Sequence, residues 1–175
     1  MIAHVILVGL PGAGKSSVGR LVASRLGRRF LDFDDELERR AGMTIGEIFR
    51  AHGETYFRRL ELSLTQELAR SDSAILAPGG GWVMVPGALA LLRPPARMIY
   101  LRVAPEVAIL RMGAGRTKRP LLEDPEPVEV LRRLAQQREP AYRQADYAID
   151  TNLVDVESLA VQIARLVDPT AGSRV

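Results

Sequence analysis

The chain has 175 residues, 47% of them hydrophobic, so we expect a single domain with a substantial core. It contains no cysteine, which excludes disulfides, thiolate metal sites and a cysteine nucleophile. The 24 basic residues nearly balance the 21 acidic ones, and only 5% of the residues are aromatic, so we expect no nucleic-acid-binding surface.

The beginning of the chain bears on where the protein acts. An apolar run at residues 2–8 has no basic region before it and leads directly into a glycine-rich segment, which argues against a signal peptide. No apolar stretch approaches the length of a membrane span. We therefore expect a cytoplasmic protein that has no membrane partner.

The glycine-rich segment at residues 9–16 matches G-x-x-x-x-G-K-[ST] at every fixed position. It lies between an apolar run typical of a buried strand and a segment with apolar residues at helical spacing. Glycines let successive N–H groups turn toward a phosphate, and the helix N-terminus adds the positive end of its dipole. Lys15 would reach the β- and γ-phosphates of a nucleotide, and the Ser16 hydroxyl would bind Mg²⁺.

The apolar pattern of the whole chain predicts strands that alternate with helices. We expect strands at residues 2–8, 29–33, 74–77, 97–103 and 147–149. We expect helices at residues 15–26, in a twice-broken stretch from 35 to about 70, and at 86–92, 105–112, 128–142 and 154–167. This alternation predicts an α/β fold with a doubly wound parallel sheet. By analogy with P-loop NTPase-like folds of this size, we expect five strands in the order 2-3-1-4-5.

Two insertions are predicted within a single domain at residues 1–167. Between the second and third strands, Thr44 and Glu47 fit a capping box and Gly53 ends the short helix that follows, so residues 34–62 are expected to form a small helical lobe. Residues 113–127 are rich in glycine, proline and charge, which suits either a lid that closes on the nucleotide or a plain surface loop. Residues 168–175 are expected to be a flexible tail.

Two carboxylates come at the end of the second predicted strand. Because alternate strand residues point to opposite sides, Asp32 and Asp34 would share a face while Phe33 is buried. Near bound phosphates, one carboxylate could bind water that coordinates Mg²⁺, and the other could accept a proton from a substrate. The alternative is an acidic loop that caps the helix at Asp35.

Three consecutive glycines follow the third predicted strand: Gly79, Gly80 and Gly81. A run of this kind favours a close backbone approach to a ligand over a simple turn, because each glycine is costly to order. Three arginines fall in different predicted elements: Arg58, Arg119 and Arg138. Spacing alone does not bring these arginines together, so each could be an ordinary surface residue.

Taken together, six motifs resemble those of the shikimate kinase family. They are the phosphate loop, Asp32-x-Asp34, Phe57-Arg58-x-x-Glu61, the three glycines, Arg119-Pro120-Leu121-Leu122, and Arg138 before Tyr142. They occur in the family's order and at similar spacings over residues 2–152. The resemblance implies a monomeric kinase that uses ATP and Mg²⁺ to phosphorylate the 3-hydroxyl of shikimate.

The resemblance also implies roles for individual residues. ATP would be bound by Gly12, Ala13, Gly14, Lys15, Ser16, Ser17 and Arg119. Shikimate would be bound by Asp34, Arg58, Gly79, Gly80, Gly81 and Arg138, with the two arginines on its carboxylate. The catalytic residues would be Lys15, Asp34 and Arg119, with Asp34 as a base. Mg²⁺ would be bound by Ser16 and, through water, by Asp32. Residues 150–152 would begin the loop that contacts adenine.

Some positions depart from the family pattern, and other functions stay open. Ala77 and Pro78 stand where some members have a small hydroxyl residue that helps to order the water around Mg²⁺. Trp82 is expected to form a wall of the substrate pocket, with a place in the core as the alternative. A kinase for another small polyol acid such as gluconate would share the phosphate loop and sheet. A nucleotide-binding module without catalysis would leave the paired carboxylates without a purpose.

Overall fold

The computed structural model describes residues 3–113 and 125–169, which contain a five-stranded sheet covered by helices on both faces. The strands are β1 (Val5–Val8), β2 (Arg29–Asp32), β3 (Ala74–Ala77), β4 (Arg97–Arg102) and β5 (Tyr147–Asp150). Every neighbouring pair is parallel, and the order is β2-β3-β1-β4-β5. The predicted fold class and strand order are therefore confirmed.

Seven α-helices lie within the described ranges. They are α1 (Lys15–Leu26), α2 (Phe33–Ala41), α3 (Ile45–Leu68), α4 (Ala88–Leu92), α5 (Pro105–Met112), α6 (Pro127–Tyr142) and α7 (Val156–Val167). A short 3-10 turn, Trp82–Met84, follows the three glycines. Most of the predicted lid at residues 113–127, including Arg119, lies outside the described residues, as do residues 170–175 of the predicted tail.

The central strand β1 divides the core between the two faces of the sheet. Val5 and Leu7 belong to one apolar cluster, which includes buried residues of α1 and α7. Ile6 and Val8 belong to the other, which includes buried residues of α3 and α4. Successive strand residues point to opposite faces, so a strand covered on both sides needs an unbroken apolar run.

Helix α3 begins and bends where the sequence predicts. The Thr44 hydroxyl accepts from the Glu47 backbone N–H (3.2 Å), and the Glu47 carboxylate accepts from the Thr44 backbone N–H (2.7 Å), which completes the capping box. Gly53 has φ 78° and ψ 172°, so it interrupts the helical backbone and α3 consists of two segments. Across the described ranges, no helix combines the length and the apolar character that crossing a membrane requires.

Gly19 allows α1 to approach the sheet closely, and a substitution at this position tests whether the fold needs that space. A Cβ at this position would lie 3.0 Å from Phe30 Cδ2 and 3.3 Å from Leu7 Cδ1. We expect Gly19→Ala to lower the free energy of unfolding by about 1–2 kcal/mol, because crowding outweighs the better helix propensity of alanine.

Urea unfolding of the variant and the wild type measures this difference. Ser24→Ala, at an exposed position of the same helix, is the matched control and should leave stability unchanged or slightly higher. A Gly19→Ala protein as stable as the wild type would show that the helix does not need this space.

Candidate active site

The phosphate loop connects β1 to α1 in a conformation that depends on its glycines. Gly9 and Gly12 have φ values of 149° and 81°, which other residues rarely adopt. Neither position has space for a side chain, since a Cβ on Gly9 would lie 2.5 Å from the Leu101 carbonyl oxygen and one on Gly12 would lie 2.6 Å from that of Ala108. The loop is therefore packed closely against β4 and α5.

Two polar side chains at the start of α1 are held by specific partners. The Lys15 amine donates to the carbonyl oxygens of Gly9 (2.9 Å) and Leu10 (3.0 Å), which keeps it over the loop. The Ser16 hydroxyl donates to the Asp32 carboxylate. A hydroxyl and a carboxylate side by side are oxygen donors of the kind that Mg²⁺ prefers.

A metal ion at this point would need further ligands from elsewhere. Within the part of the chain that the structure describes, no group of three or more His, Cys, Asp or Glu residues could hold a metal ion. Mg²⁺ usually keeps several waters and binds through one or two protein oxygens together with substrate phosphates. The Ser16–Asp32 pair fits that mode of binding.

A cavity of about 560 Å³ lies at the carboxyl ends of the strands. In parallel α/β sheets this edge is where ligands bind, and the volume is in the usual range for a small-molecule site. The predicted residues that line it are Gly12, Ala13, Gly14, Lys15, Ser16, Ser17, Asp32, Asp34, Gly79 and Gly80. Three predicted residues are not part of this lining: Arg58, Gly81 and Arg138. Gly81 follows the lining residue Gly80, and the two arginines lie next to these glycines.

The prediction that Asp32 and Asp34 share a strand face is wrong. Strand β2 ends at Asp32, whose carboxylate accepts from the backbone N–H groups of Asp34 (3.0 Å) and Asp35 (3.4 Å) and so caps α2. Phe33 is buried, as expected, but as the first residue of the helix. The capping alternative is therefore correct for Asp32, and both carboxylates still line the cavity.

The three glycines after β3 are surrounded by charged side chains from three helices. A Cβ on Gly79 would lie 3.1 Å from Glu61 Oε1 and 3.2 Å from Asp34 Oδ1. A Cβ on Gly80 would lie 2.8 Å from Arg138 Nη1, and one on Gly81 would lie 2.7 Å from Arg58 Cζ. The fold thus brings together Asp34, Arg58 and Arg138. Their spacing in the sequence does not predict this proximity.

Arg58 is held by two carboxylates on its own helix. Its Nη1 donates to Glu61 Oε2 (2.6 Å), and its Nη2 donates to Glu54 Oε1 (2.7 Å). Glu61 is fully buried, and its Oε1 is the one buried side-chain polar atom without a hydrogen-bond partner in the described ranges. Burial raises the pKa of the Glu61 carboxyl to about 7, although Arg58 opposes the rise, and the charge of Asp34 adds to it.

Glu61 is a residue to which the sequence reasoning assigns no role. It occurs in the quoted Phe57-Arg58-x-x-Glu61 motif, and its i,i+3 spacing from Arg58 on a predicted helix is the pattern of an ion pair. That spacing is the feature of the sequence from which the Arg58–Glu61 ion pair could have been predicted. The burial of Glu61, which makes the pair important, depends on the packing of α3 against the glycines and cannot be predicted from neighbouring residues.

Arg138 is a buried residue of α6, near Tyr142 of the same helix. It is 6% exposed, and burial raises the pKa of the Tyr142 hydroxyl while the positive charge of Arg138 opposes the rise. The Tyr142 hydroxyl in turn donates to the Gly80 carbonyl oxygen (2.9 Å). Tyr142 stacks on Tyr100 with a ring-centroid distance of 4.7 Å. Helix α6 is thereby joined to the glycine turn at the position of the buried arginine.

The prediction that Trp82 forms a wall of the pocket is wrong. Its side chain is fully buried and packs edge-on against Phe33, with ring centroids 6.2 Å apart. The indole N–H donates to the Thr65 hydroxyl (2.9 Å), and that hydroxyl donates to the Glu61 backbone oxygen (2.7 Å). A buried tryptophan needs such a partner, and the core supplies it.

The far end of the cavity contains a residue that the sequence reasoning missed. Arg111, on α5, lines the cavity there together with Met112, Val154 and Val156. Its guanidinium donates to the hydroxyl (3.2 Å) and the backbone oxygen of Thr151. A fixed guanidinium plane beside apolar side chains suits a planar base. The predicted adenine loop at residues 150–152 precedes this lining.

The chain is similar to shikimate kinases over nearly its whole length. The family model described as shikimate kinase matches residues 11–168. The shikimate kinase of Caldanaerobacter subterraneus subsp. tengcongensis is 40% identical over 162 residues, which cover 93% of this chain and 94% of that protein.

Solved structures extend the comparison. A shikimate kinase from Acinetobacter baumannii, in complex with shikimate, has a TM-score of 0.90 and 38% identity, covering 95% of this chain and 93% of that chain. A gluconokinase from Sinorhizobium meliloti has a TM-score of 0.57 and 17% identity, over 99% of this chain and 98% of that chain. At that identity it shares the fold alone.

The buried carboxyl of Glu61 predicts a specific pH dependence of stability. Its pKa rises from an ordinary value of 4.5 to about 7 on folding, so the folded state binds the extra proton between these values. The free energy of unfolding should therefore fall as pH rises from about 4.5 to about 7, by roughly 3 kcal/mol in the wild type relative to Glu61→Gln.

Urea unfolding at several pH values measures this difference. Glu67→Gln, at an exposed position of the same helix, is the matched control. If the difference in stability between the wild type and Glu61→Gln were constant across this range, Glu61 would not take up a proton on folding.

Proposed function

The chain belongs to the shikimate kinase family, and we propose that it transfers the γ-phosphoryl group of ATP to the 3-hydroxyl of shikimate. The product, shikimate 3-phosphate, leads to chorismate and the aromatic amino acids. The observation that carries this proposal is the convergence of Arg58, Arg138 and Asp34 on the glycine turn beside the phosphate loop. This arrangement combines a triphosphate site with a site for a hydroxylated acid.

The phosphate loop would hold ATP. The residues proposed to wrap its phosphates all line the cavity: Gly12, Ala13, Gly14, Lys15, Ser16 and Ser17. The Lys15 amine lies over the loop and would exchange its carbonyl partners for the β- and γ-phosphates. Arg111 and the apolar residues beside it would face the base. Positioning and charge neutralisation are the main requirements of phosphoryl transfer.

Mg²⁺ would bind directly to the Ser16 hydroxyl and through water to Asp32. These two side chains already form a hydrogen-bonded pair at the mouth of the loop. When bound, the ion would neutralise negative charge that develops on the phosphates during transfer. Ala77 and Pro78 line the same cavity without a side-chain oxygen, so we expect water and phosphate to complete the coordination.

Asp34 would orient the hydroxyl groups of shikimate and accept the proton of the 3-hydroxyl. Its position in the first turn of α2 puts its carboxylate in the cavity, next to Gly79. The hydroxyl oxygen would then attack the γ-phosphorus, and ADP would leave with its bridging oxygen. Gly79, Gly80 and Gly81 would offer backbone N–H groups to the same substrate.

Arg58 and Arg138 would bind the substrate carboxylate. A guanidinium presents two parallel N–H groups to a carboxylate, and two such groups from different helices would fix the orientation of the ring. Arg138 is almost completely buried and Arg58 is held by Glu61, so both are ordered before the substrate arrives. An acceptor without a carboxylate would make neither of these contacts.

Two further proposals concern residues and properties beyond the described site. Arg119 would place positive charge on the ATP phosphates from a lid at residues 113–127, because phosphoryl transfer requires such charge.

We also propose that one chain suffices for activity, as a monomer in the cytoplasm, because the groups for both substrates come from a single chain. No nucleic acid or membrane is required.

A coupled assay of ADP release tests the function. We expect activity with shikimate and at most background activity with gluconate and nucleoside monophosphates. Lys15→Ala should abolish transfer while the free energy of unfolding stays near that of the wild type, because Lys15 acts on phosphates. Equal activity with gluconate would contradict the assignment of the acceptor, and an active Lys15→Ala protein would contradict that of the phosphate loop.

The carboxylate site makes a separate prediction. Arg58→Ala and Arg138→Ala should each raise KM for shikimate by about 10- to 100-fold, while KM for ATP changes little, because each loses one charge-assisted contact. Arg59→Ala and Arg133→Ala, at exposed positions of the same helices, are the matched controls. Normal shikimate affinity in either Arg58→Ala or Arg138→Ala would remove that arginine from the carboxylate site.

A further inference from the structure

The three glycines after β3 are not explained by backbone conformation. None of them has a φ in the left-handed region, and Gly81 has φ −90° and ψ −10°, which any residue can adopt. The backbone at Gly81 would therefore accept alanine. The reason for glycine must therefore be the space that a side chain would occupy, and that space is already filled by the protein's own charged groups.

The guanidinium of Arg58 fills the space at Gly81. A Cβ there would lie 2.7 Å from Arg58 Cζ and 2.8 Å from Nη1, and real Cβ atoms essentially never come so close. The clashing atoms are the far end of a long side chain, so the guanidinium would shift while the backbone stays. Such a shift would disturb the hydrogen bond from Nη1 to Glu61 (2.6 Å), which holds the guanidinium in place.

The guanidinium of Arg138 fills the space at Gly80 in the same way. A Cβ there would lie 2.8 Å from Arg138 Nη1, and it would also lie 3.2 Å from the Gly9 carbonyl oxygen of the phosphate loop. The Tyr142 hydroxyl donates to the carbonyl oxygen of the same glycine (2.9 Å), and the positive charge of Arg138 acts on that hydroxyl by opposing the rise that burial causes in its pKa. Adjacent glycines therefore receive guanidinium groups from two different helices, α3 and α6.

We propose that Gly81, Gly80 and Tyr142 are positioning residues that set the separation and direction of the Arg58 and Arg138 guanidinium groups. This inference rests on the proposed function, in which the separation of the two guanidinium groups selects a ring acid whose carboxylate contacts both of them. The absence of side chains at Gly80 and Gly81 then acts through the arginines, while the backbone N–H groups of these residues stay available to the substrate.

A double-mutant cycle distinguishes these two roles. Gly81→Ala, Arg58→Ala and the double variant are assayed for KM and kcat with shikimate and for KM with ATP. We expect Gly81→Ala to raise KM for shikimate by about tenfold, the effect of losing one well-placed charged contact, with KM for ATP unchanged. In the Arg58→Ala background the same change should have almost no further effect, because the group on which Gly81 acts is gone.

Each outcome decides the matter. If Gly81→Ala reduces affinity by the same factor with and without Arg58, it acts on the substrate directly and the inference is overturned. If the wild type phosphorylates shikimate and Gly81→Ala does not change KM for shikimate, the inference is overturned and the proposed function stands. A wild type inactive with shikimate would instead overturn the proposed function.

Tyr142 offers a second test with a close control. Tyr142→Phe keeps the buried ring and its stacking but removes the hydroxyl at Gly80 and Arg138, so it should raise KM for shikimate about three- to tenfold without changing KM for ATP. Tyr100→Phe removes the hydroxyl of the stacked partner, which donates to Glu139 (3.2 Å) and not to the glycine turn. Equal effects of the two variants on KM for shikimate would reduce Tyr142 to a packing role.

Discussion

The site depends on keeping charged side chains paired where water hardly reaches them. Glu61 is fully buried and Arg138 is almost so, and an isolated charge at such depth is strongly unfavourable. Arg58 offsets this cost by donating to Glu61, and the glycine turn leaves space for both guanidinium groups. Because the protein's own contacts hold these groups, little ordering remains to be paid when a substrate binds.

The sheet explains why this cluster lies beside the phosphate loop. Strands β1 and β3 are parallel neighbours, so the loop after β1 and the glycines after β3 leave the sheet at the same edge. Strand β2, the other neighbour of β3, ends there with the Asp32 carboxylate at the Ser16 hydroxyl. The proposed phosphate site therefore follows β1, the proposed acceptor site follows β3, and helices α2, α3 and α6 add the charged side chains.

Features with a local cause could be predicted from the sequence. The apolar run of β1 and the Thr44–Glu47 capping box each reflect contacts within a few residues, and both are present. Local capping also explains why the prediction that Asp32 and Asp34 share a strand face is wrong. Asp32 is the N-cap of α2, so Asp34 lies in a helix and not in a strand. The burial of Trp82 depends on a hydrogen bond to Thr65 that no local pattern reveals.

The meeting of Arg58 with Arg138 depends on long-range packing, so only family resemblance could suggest it. A crystal structure with shikimate and a non-hydrolysable ATP analogue tests this central claim most directly. We expect the shikimate carboxylate within about 3 Å of nitrogen atoms of both guanidinium groups, and the 3-hydroxyl at hydrogen-bond distance from Asp34. A substrate carboxylate that faces solvent, with both guanidinium groups still turned toward the glycines, would contradict it.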